Sequence, residues 1–331
     1  MAQVKGIPYG VSRFEQVRNE NLYYVDKTSY LPALEDTGNY LSLIRPRRFG
    51  KSVFISMLQA YYDIAKADRF DHLFDGLWIQ QHPTPLKNTF QVVYFDFSLI
   101  SAGRGELEEN FNTYCAIVMD SFIERYKDYY SEEFYRKVKA TDNAGTKMKL
   151  VNNEAQQKGY PLYLIIDEYD NFTNVILSDG GKDLFRNLTH ASGFYREYFK
   201  LFKAMFSRVF LIGVSPVTLD DLSSGYNIDW NISQDPRFNA MLGFSEADTH
   251  EMFCYYQANG KLRPEADIEA MMAEMKPWYN NYCFSPDCLE DDRLYNCDMV
   301  LYYLRHQIFY GRAPRKMVDK NIRTDYKKLK I

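Results

Sequence analysis

Four short apolar runs limit what this chain can fold into: Tyr40 to Ile44, Val92 to Phe97, Leu162 to Ile166 and Val209 to Val214. Each has the length of a strand, is rich in β-branched or aromatic side chains, and is nearly continuous. A strand with one wet face alternates apolar and polar residues. Unbroken runs therefore belong to strands covered on both faces, as in a parallel sheet. A fifth, weaker run covers Ala240 to Phe244. Helical patterns lie between the runs. Ser52 to Ala65 sets Val53, Phe54, Met57, Leu58 and Tyr61 along one stripe, and Glu106 to Tyr130 repeats Leu107, Phe111, Tyr114, Cys115, Val118 and Phe122. Asp183 to Phe206 is a third such stretch. Strands alternating with helices predict an α/β fold, a parallel sheet with right-handed crossovers.

After Gly243 the character changes. Ser245-Glu246-Ala247-Asp248 reads as a helix start, a serine cap with an acidic first turn, and Met252, Phe253 and Tyr256 follow at helical spacing. Pro264 and Pro277 punctuate this region, and Tyr295 to Tyr310 is another amphipathic helix. The expected organisation is a core over residues 1–244 and a small, mainly helical domain over 245–331. A length of 331 residues suits either one large domain or two of ordinary size.

The first strand runs straight into Arg45-Pro46-Arg47-Arg48-Phe49-Gly50-Lys51-Ser52, and a helical stripe follows. A glycine before Lys-Ser lets backbone N–H groups turn toward an anion at the helix N-terminus. Lys51 would neutralise the β- and γ-phosphates of a nucleotide, and the Ser52 hydroxyl would ligate Mg²⁺. The usual phosphate loop is G-x-x-x-x-G-K-[ST]; here Arg45 stands where the first glycine would be. Pro46 can fix the turn instead, while Arg45, Arg47 and Arg48 add positive charge around the cradle. The alternative is an ordinary strand-to-helix turn whose arginines pair with surface acids.

A second motif, Leu162-Tyr163-Leu164-Ile165-Ile166-Asp167-Glu168, is a buried strand ending in two carboxylates. The carboxyl ends of strands are where an open α/β sheet presents its ligand crevice. Asp167 can hold the Mg²⁺ shell as a Walker-B aspartate does, and Glu168 can polarise the attacking water. By itself such a pair is a common way for a strand to end in solvated loop acids; with a phosphate loop upstream, each motif predicts the other. At the tip of the fourth strand, Ser215 is the candidate for sensing the γ-phosphate, with Thr218 in reserve, although a hydroxyl there can equally cap the next turn. Arg208, Arg237 and the loop arginines are candidates for an arginine finger.

These residues resemble the AAA-ATPase-like family of bacterial proteins, which often carry a C-terminal PD-(D/E)XK nuclease-like domain. The resemblance rests on Ile7 to Ser12, Tyr24 to Thr28, Arg45 to Ser52, Leu77-Trp78-Ile79, Ile165 to Asp170, Gly213 to Thr218, Met241 to Phe244 and Trp278 to Tyr282, in order along nearly the whole chain. It implies that arginine at position 45 is a family trait. It further implies a P-loop NTPase of the additional-strand, catalytic-glutamate type, with a helical or winged-helix-like lid and the Tyr24–Thr28 segment near the adenine. A nuclease-like domain would lie beyond residue 331. Inside the chain, Asp267, Glu274 and Lys276 match a nuclease pattern formally, but residues 269–275 read as a helix where that chemistry needs a strand.

Charge and cysteine use narrow the setting. A net charge of −4 gives no overall attraction to polyanions. Between Gly311 and Ile331, however, eight Lys/Arg face two Asp, a tail that suits nucleic acid or an acidic partner if it is not simply a solvated helix face. Five cysteines without CxxC spacing read as free thiols in a reducing compartment. The N-terminus has no apolar leader, and no run reaches membrane-spanning length, so a cytoplasmic protein without membrane contact is expected. The leading expectation is an ATPase acting with ATP and Mg²⁺ as a switch or motor for a fused or partner effector. A nucleotide-binding regulatory module with little turnover, and a nucleic-acid-binding protein using the basic tail, are the alternatives. No Asn-Lys-x-Asp motif follows the loop, which tilts the base toward adenine.

Overall fold

The computed structural model describes residues 3–101, 107–177, 185, 193–215 and 230–319. They divide into two compact units. One comprises residues 31–46 and 58–232; the other comprises 1–30, 47–57 and 233–331.

The first unit is built on a five-stranded sheet: β1 (Tyr40–Ile44), β2 (Gln91–Asp96), β3 (Leu162–Asp167), β4 (Arg208–Gly213) and β5 (Trp230–Asn231). All neighbours run parallel, in the order β2-β3-β4-β1-β5. Every residue of β3 and β4 is buried, which is why those runs carry no polar alternation. With β4 between β1 and β3, the sheet has the order of an additional-strand P-loop fold. Its helices include α1 (Lys51–Tyr62, whose last five residues belong here), α2 (Leu107–Arg125), α3 (Ala144–Lys158) and α4 (Phe194–Met205). Helix α2 buries Phe111, Cys115 and Phe122 of the expected stripe, with Met119 besides, against a core rich in rings, while Leu107, Tyr114 and Val118 are partly buried. The stripe of α1 ends at Tyr62 rather than residue 65, because the Asp63 carboxylate accepts Ala65 N–H and opens a 3₁₀ turn instead. Of the stretch expected to be helical over 183–206, residues 194–205 are a helix and much of the rest lies outside the described residues.

One strand was misplaced by sequence. The fifth strand is Trp230–Asn231, not residues 240–244. The chain from Pro236 to Met241 is a 3₁₀ helix, since Asp235 accepts Arg237 N–H and Pro236 presets the first turn. Of the weaker run only Phe244 joins a bridge, exchanging N–H···O bonds with Tyr295 at 3.1 and 2.7 Å.

The second unit holds helices α5 (Glu246–Ala258), α6 (Ile268–Tyr279) and α7 (Cys297–Tyr310) with a small antiparallel pair, β6 (Asn280–Tyr282) and β7 (Leu294–Tyr295). Ser245 and Asp248 form a reciprocal capping box at the start of α5. Asp267 caps α6, and Pro277 sits in the last turn of that helix. Helix α7 starts two residues later than expected, because Leu294 and Tyr295 pair with β6 and Asn296 supplies the cap. Met252, Phe253, Tyr256, Met275, Tyr279 and Tyr303 form the centre of this unit's core. The expectation of five free thiols is corrected: Cys283 and Cys288 are joined by a disulfide, closing a five-residue step in the loop after β6, while Cys115, Cys254 and Cys297 are free. No helix among the described residues is long and apolar enough to cross a membrane.

Candidate nucleotide-binding site

In a parallel sheet all carboxyl ends fall on one edge, so the register decides which tips are neighbours. Ile44 pairs with Gly213, Asp167 with Ile212, and Asp96 with Asp167. The ends of β2, β3, β4 and β1 thus form one row, and β1 is separated from β3 by β4 alone. Two strand spacings put their axes about 10 Å apart.

Arg45 extends this row by one residue: its N–H donates to Gly213 O at 3.1 Å. Its side chain is fully buried, with Nη1 on Ile44 O at 2.9 Å. Burial draws the guanidinium pKa down to about 10, which still leaves it charged at neutral pH. A buried cation therefore stands at the strand exit where the usual loop has glycine. Pro46 follows, half-buried.

At the tip of β3, Asp167 is 3% exposed and accepts Glu168 N–H at 2.9 Å. Glu168 takes φ +50°, the left-handed region that costs a side-chain-bearing residue energy. That turn re-aims the chain directly after Asp167. Next come Tyr169 and Asp170, both buried, which grip the tip of β4. Asp170 accepts Val214 N–H at 3.1 Å and Ser215 N–H at 2.7 Å, along with the Asn174 amide at 2.9 Å. Burial raises the Asp170 pKa, and these donors oppose the rise. Tyr169 donates its hydroxyl to Ser215 O at 2.8 Å. The sheet unit thus brings together Arg45, Asp167, Glu168 and Ser215. Thr218 lies outside the described residues.

The rest of the loop belongs to the second unit. Arg48 and Gly50 take φ +66° and +83°. A Cβ on Gly50 would meet nothing closer than Cys297 Sγ at 3.8 Å, so glycine is needed there for its backbone angle and not for space. Phe49 is fully buried, its ring edge-on to Tyr282 at 4.6 Å, and its carbonyl accepts Gly243 N–H at 3.2 Å. Arg48 Nη1 pairs with Asp298 at 2.8 Å, and Asn296 donates to Arg47 O at 3.4 Å. Lys51 is the first residue of α1 and is buried, whereas Ser52, the second, is exposed. The helix-closing bonds begin with Phe54 N–H to Gly50 O at 3.0 Å, so the N–H groups of residues 51–53 form the positive end of the helix dipole. Within this unit the lysine, hydroxyl and helix N-terminus are groups suited to phosphate, and within the sheet unit the carboxylate pair suits a hard cation. Beside the loop, a cavity of about 100 Å³ is lined by Tyr24, Lys27, Gly50, Val53, Gly243 and Cys297, among others. Part of the Tyr24–Thr28 segment therefore lines a cavity next to the loop.

Two arginine candidates are engaged elsewhere. Arg208 stands at the opposite end of β4 from Gly213, donating to Glu35 O at 2.8 Å. Arg237 is exposed and holds Asp235 through Nε and Nη2. Sequence reasoning gave no role to Asp170 or Gly213. Both had a signal: the acidic run continues to Asp170, and a glycine closing a buried strand marks a close backbone approach.

A family described as predicted AAA-ATPase matches this chain over residues 8–223. An uncharacterized protein in the vnfD 5′ region of Azotobacter chroococcum mcd 1 is 26% identical over 95% of this chain, which spans 56% of that relative's length. Among solved structures, the Aeropyrum pernix ORC2 protein in its ADPNP–ADP complexes is similar over 98% of this chain and 70% of its own, with 11% identity and a TM-score of 0.37.

Proposed function

We propose, from the premise that this chain belongs to the predicted AAA-ATPase family, that it binds and hydrolyses ATP with Mg²⁺ and acts as a switch or motor for a fused or partner effector. The fold is that of a nucleotide-binding P-loop ATPase; the residue roles are the proposal. Residues 45–52 cradle the phosphates, with Lys51 on the β- and γ-phosphates. Ser52 and Asp167 hold the Mg²⁺, which when bound supplies charge neutralisation at the phosphates. Glu168 orients the attacking water and takes its proton, while Ser215 faces the γ-phosphate from β4. The apolar cavity beside Gly50 and Val53 takes the base, for which adenine is the choice.

The observation that carries this reading is the row of strand ends. Asp167 stands one strand removed from the end of β1, and β1 leads without interruption into the phosphate loop. A carboxylate pair on the far edge of the sheet would have had no such claim. A division at residues 244/245, a cytoplasmic setting, and a nuclease-like effector beyond residue 331 belong to the same proposal, as does contact of the basic tail with nucleic acid; residues 320–331 of that tail lie outside the described residues.

The test is ATP affinity by calorimetry together with phosphate release, for wild type, Lys51→Ala and Glu168→Gln. Lys51→Ala should lose nucleotide binding. Glu168→Gln should bind ATP with turnover reduced by ~10²–10⁴-fold, the range for a lost general base. Unchanged phosphate release in Glu168→Gln would remove that residue from the mechanism. One observation favours a second reading, a binding module with little turnover: a buried arginine replaces the glycine at the exit of β1. Tight ATP binding with negligible phosphate release by the wild-type chain would select it.

A further inference from the structure

We propose that Tyr169 and Asp170 are positioning residues, a clasp that fixes Ser215 and the end of β4 against the carboxylate-bearing turn of β3. This inference rests on the reading of Ser215 as the group facing the γ-phosphate, and it names what holds that group in place.

Ser215 follows the last residue of β4 by two positions, where the ladder no longer constrains the backbone. A loop residue left to itself would sample many orientations. Here both of its main-chain polar groups are taken by adjacent residues of one turn. Asp170 Oδ2 accepts its N–H at 2.7 Å, and the Tyr169 hydroxyl donates to its carbonyl at 2.8 Å. Val214 N–H is held by the same carboxylate, with Oδ1 at 3.1 Å. A carboxylate accepting several N–H bonds forms charge-assisted contacts, stronger and more directional than those of neutral groups.

The clasp is itself fixed. Tyr169 and Asp170 are 0% and 1% exposed. Tyr169 N–H donates to Ile212 O at 3.3 Å, the buried Tyr195 hydroxyl donates to Tyr169 O, and Asn174 Nδ2 donates to Asp170 Oδ2 at 2.9 Å. The turn begins at Asp167 and Glu168, so displacement of either carboxylate is passed to Ser215 over two or three residues of packed, hydrogen-bonded chain. Gly213 is the counterpart on β4. A Cβ there would come within 2.4 Å of Asp170 Oδ1 and 2.5 Å of Tyr169 Cε1, so only glycine lets the two strands approach this closely. Two separate features, a buried carboxylate in the turn after β3 and an obligatory glycine at the end of β4, thus serve one contact.

A residue that positions the sensing group should affect turnover far more than nucleotide affinity. Asp170→Ala should keep the ATP dissociation constant within about 3-fold of wild type, with kcat for phosphate release down by about 10–100-fold, as expected for ångström-scale misplacement of a reacting group. Asp170→Asn keeps one acceptor oxygen and should recover part of the loss. Gly213→Ala attacks the same contact from the other strand, so it should reproduce the Asp170→Ala phenotype, and the double variant should be little worse than either single one. Tyr169→Phe removes one hydroxyl only and serves as the mild variant if the others fold poorly. Amide exchange supplies an independent readout. ATP with Mg²⁺ should slow exchange at Val214 and Ser215 in wild type and not in Asp170→Ala. Wild-type kcat in Asp170→Ala or Tyr169→Phe, or equal losses in affinity and kcat, would overturn the clasp. If wild type binds ATP without releasing phosphate, hydrolysis fails and the exchange result alone decides. If wild type binds no ATP, both readings fall, and that silence is distinct from a defect confined to the variants.

Discussion

The two units of this molecule are held together in different ways. In the sheet unit, cohesion comes from parallel ladders and from rings. Phe111 alone lies within 4.8–5.6 Å of Phe97, Phe172, Phe194, Tyr195 and Tyr198, ring centroid to centroid, with the nearest at Tyr198 and the farther ones at Phe172 and Phe194. In the other unit, three separate stretches of chain are stitched by single polar contacts across long sequence distances. Lys27 pairs with Asp248 at 2.7 Å, Arg48 with Asp298 at 2.8 Å, Tyr256 donates to Gly6 O at 2.9 Å, and Phe14 N–H donates to Ser56 Oγ at 3.0 Å. Collective ring packing tolerates the loss of any one polar bond but not of a central ring. A stitched unit distributes its specificity over pairs, each of modest strength.

That contrast can be broken by substitution. Its largest expected effect is at the centre of the ring cluster: Phe111→Ala should lower unfolding free energy by about 3–5 kcal/mol, the range for a large buried ring replaced by a cavity. Urea titration followed by circular dichroism measures it. A loss below 1 kcal/mol would mean the rings are not the unit's chief support. The next effect is at a stitch. Lys27 and Asp248 side chains are 13% and 24% exposed, so the pair is partly shielded from water. Lys27→Met should cost about 1–2 kcal/mol, because Asp248 stays partly buried with its counter-charge gone. Its carboxylate also accepts Ser245 N–H at 2.8 Å, which limits the loss. A cost equal to that of Phe111→Ala would erase the distinction between the two units.

The same contrast explains what was legible in the sequence. Strands β1 to β4 were readable because burial on both faces leaves unbroken apolar runs, and α2 because its partner is the continuous core. Lys51, Ser52, Asp167 and Glu168 stood out as residues of motifs that occupy strand ends. Where Phe49, Arg48 and Lys27 would find partners was not readable, since those partners lie at Tyr282, Asp298 and Asp248, more than 200 residues away along the chain. No local period encodes such pairing. Strand β5 escaped because two exposed residues, Trp230 and Asn231, carry no burial pattern at all. Asp170 and Gly213 went unassigned for a related reason. Each looks ordinary alone, and their roles exist only when β3 and β4 lie side by side.

The smallest effect marks where a stitch ceases to matter. Lys276 and Glu246 approach to 2.9 Å, joining α6 to the first turn of α5, yet their side chains are 49% and 45% exposed. In water the attraction is screened, and ordering two long side chains opposes it, so an exposed pair of this kind contributes about 0–1 kcal/mol. A double-mutant cycle with Lys276→Ala and Glu246→Ala should give a coupling of roughly 0.5 kcal/mol or less, shrinking further in 0.5 M salt. The Lys27–Asp248 pair has the same chemistry and a similar distance, so a matching cycle with Lys27→Ala and Asp248→Ala differs mainly in exposure. A coupling at Lys276–Glu246 as large as that at Lys27–Asp248 would show that distance, and not shielding from water, sets the strength of these contacts. The polar stitching of that unit, beside its apolar core, would then rest on ion pairs over its whole surface rather than on the few its own chain shields.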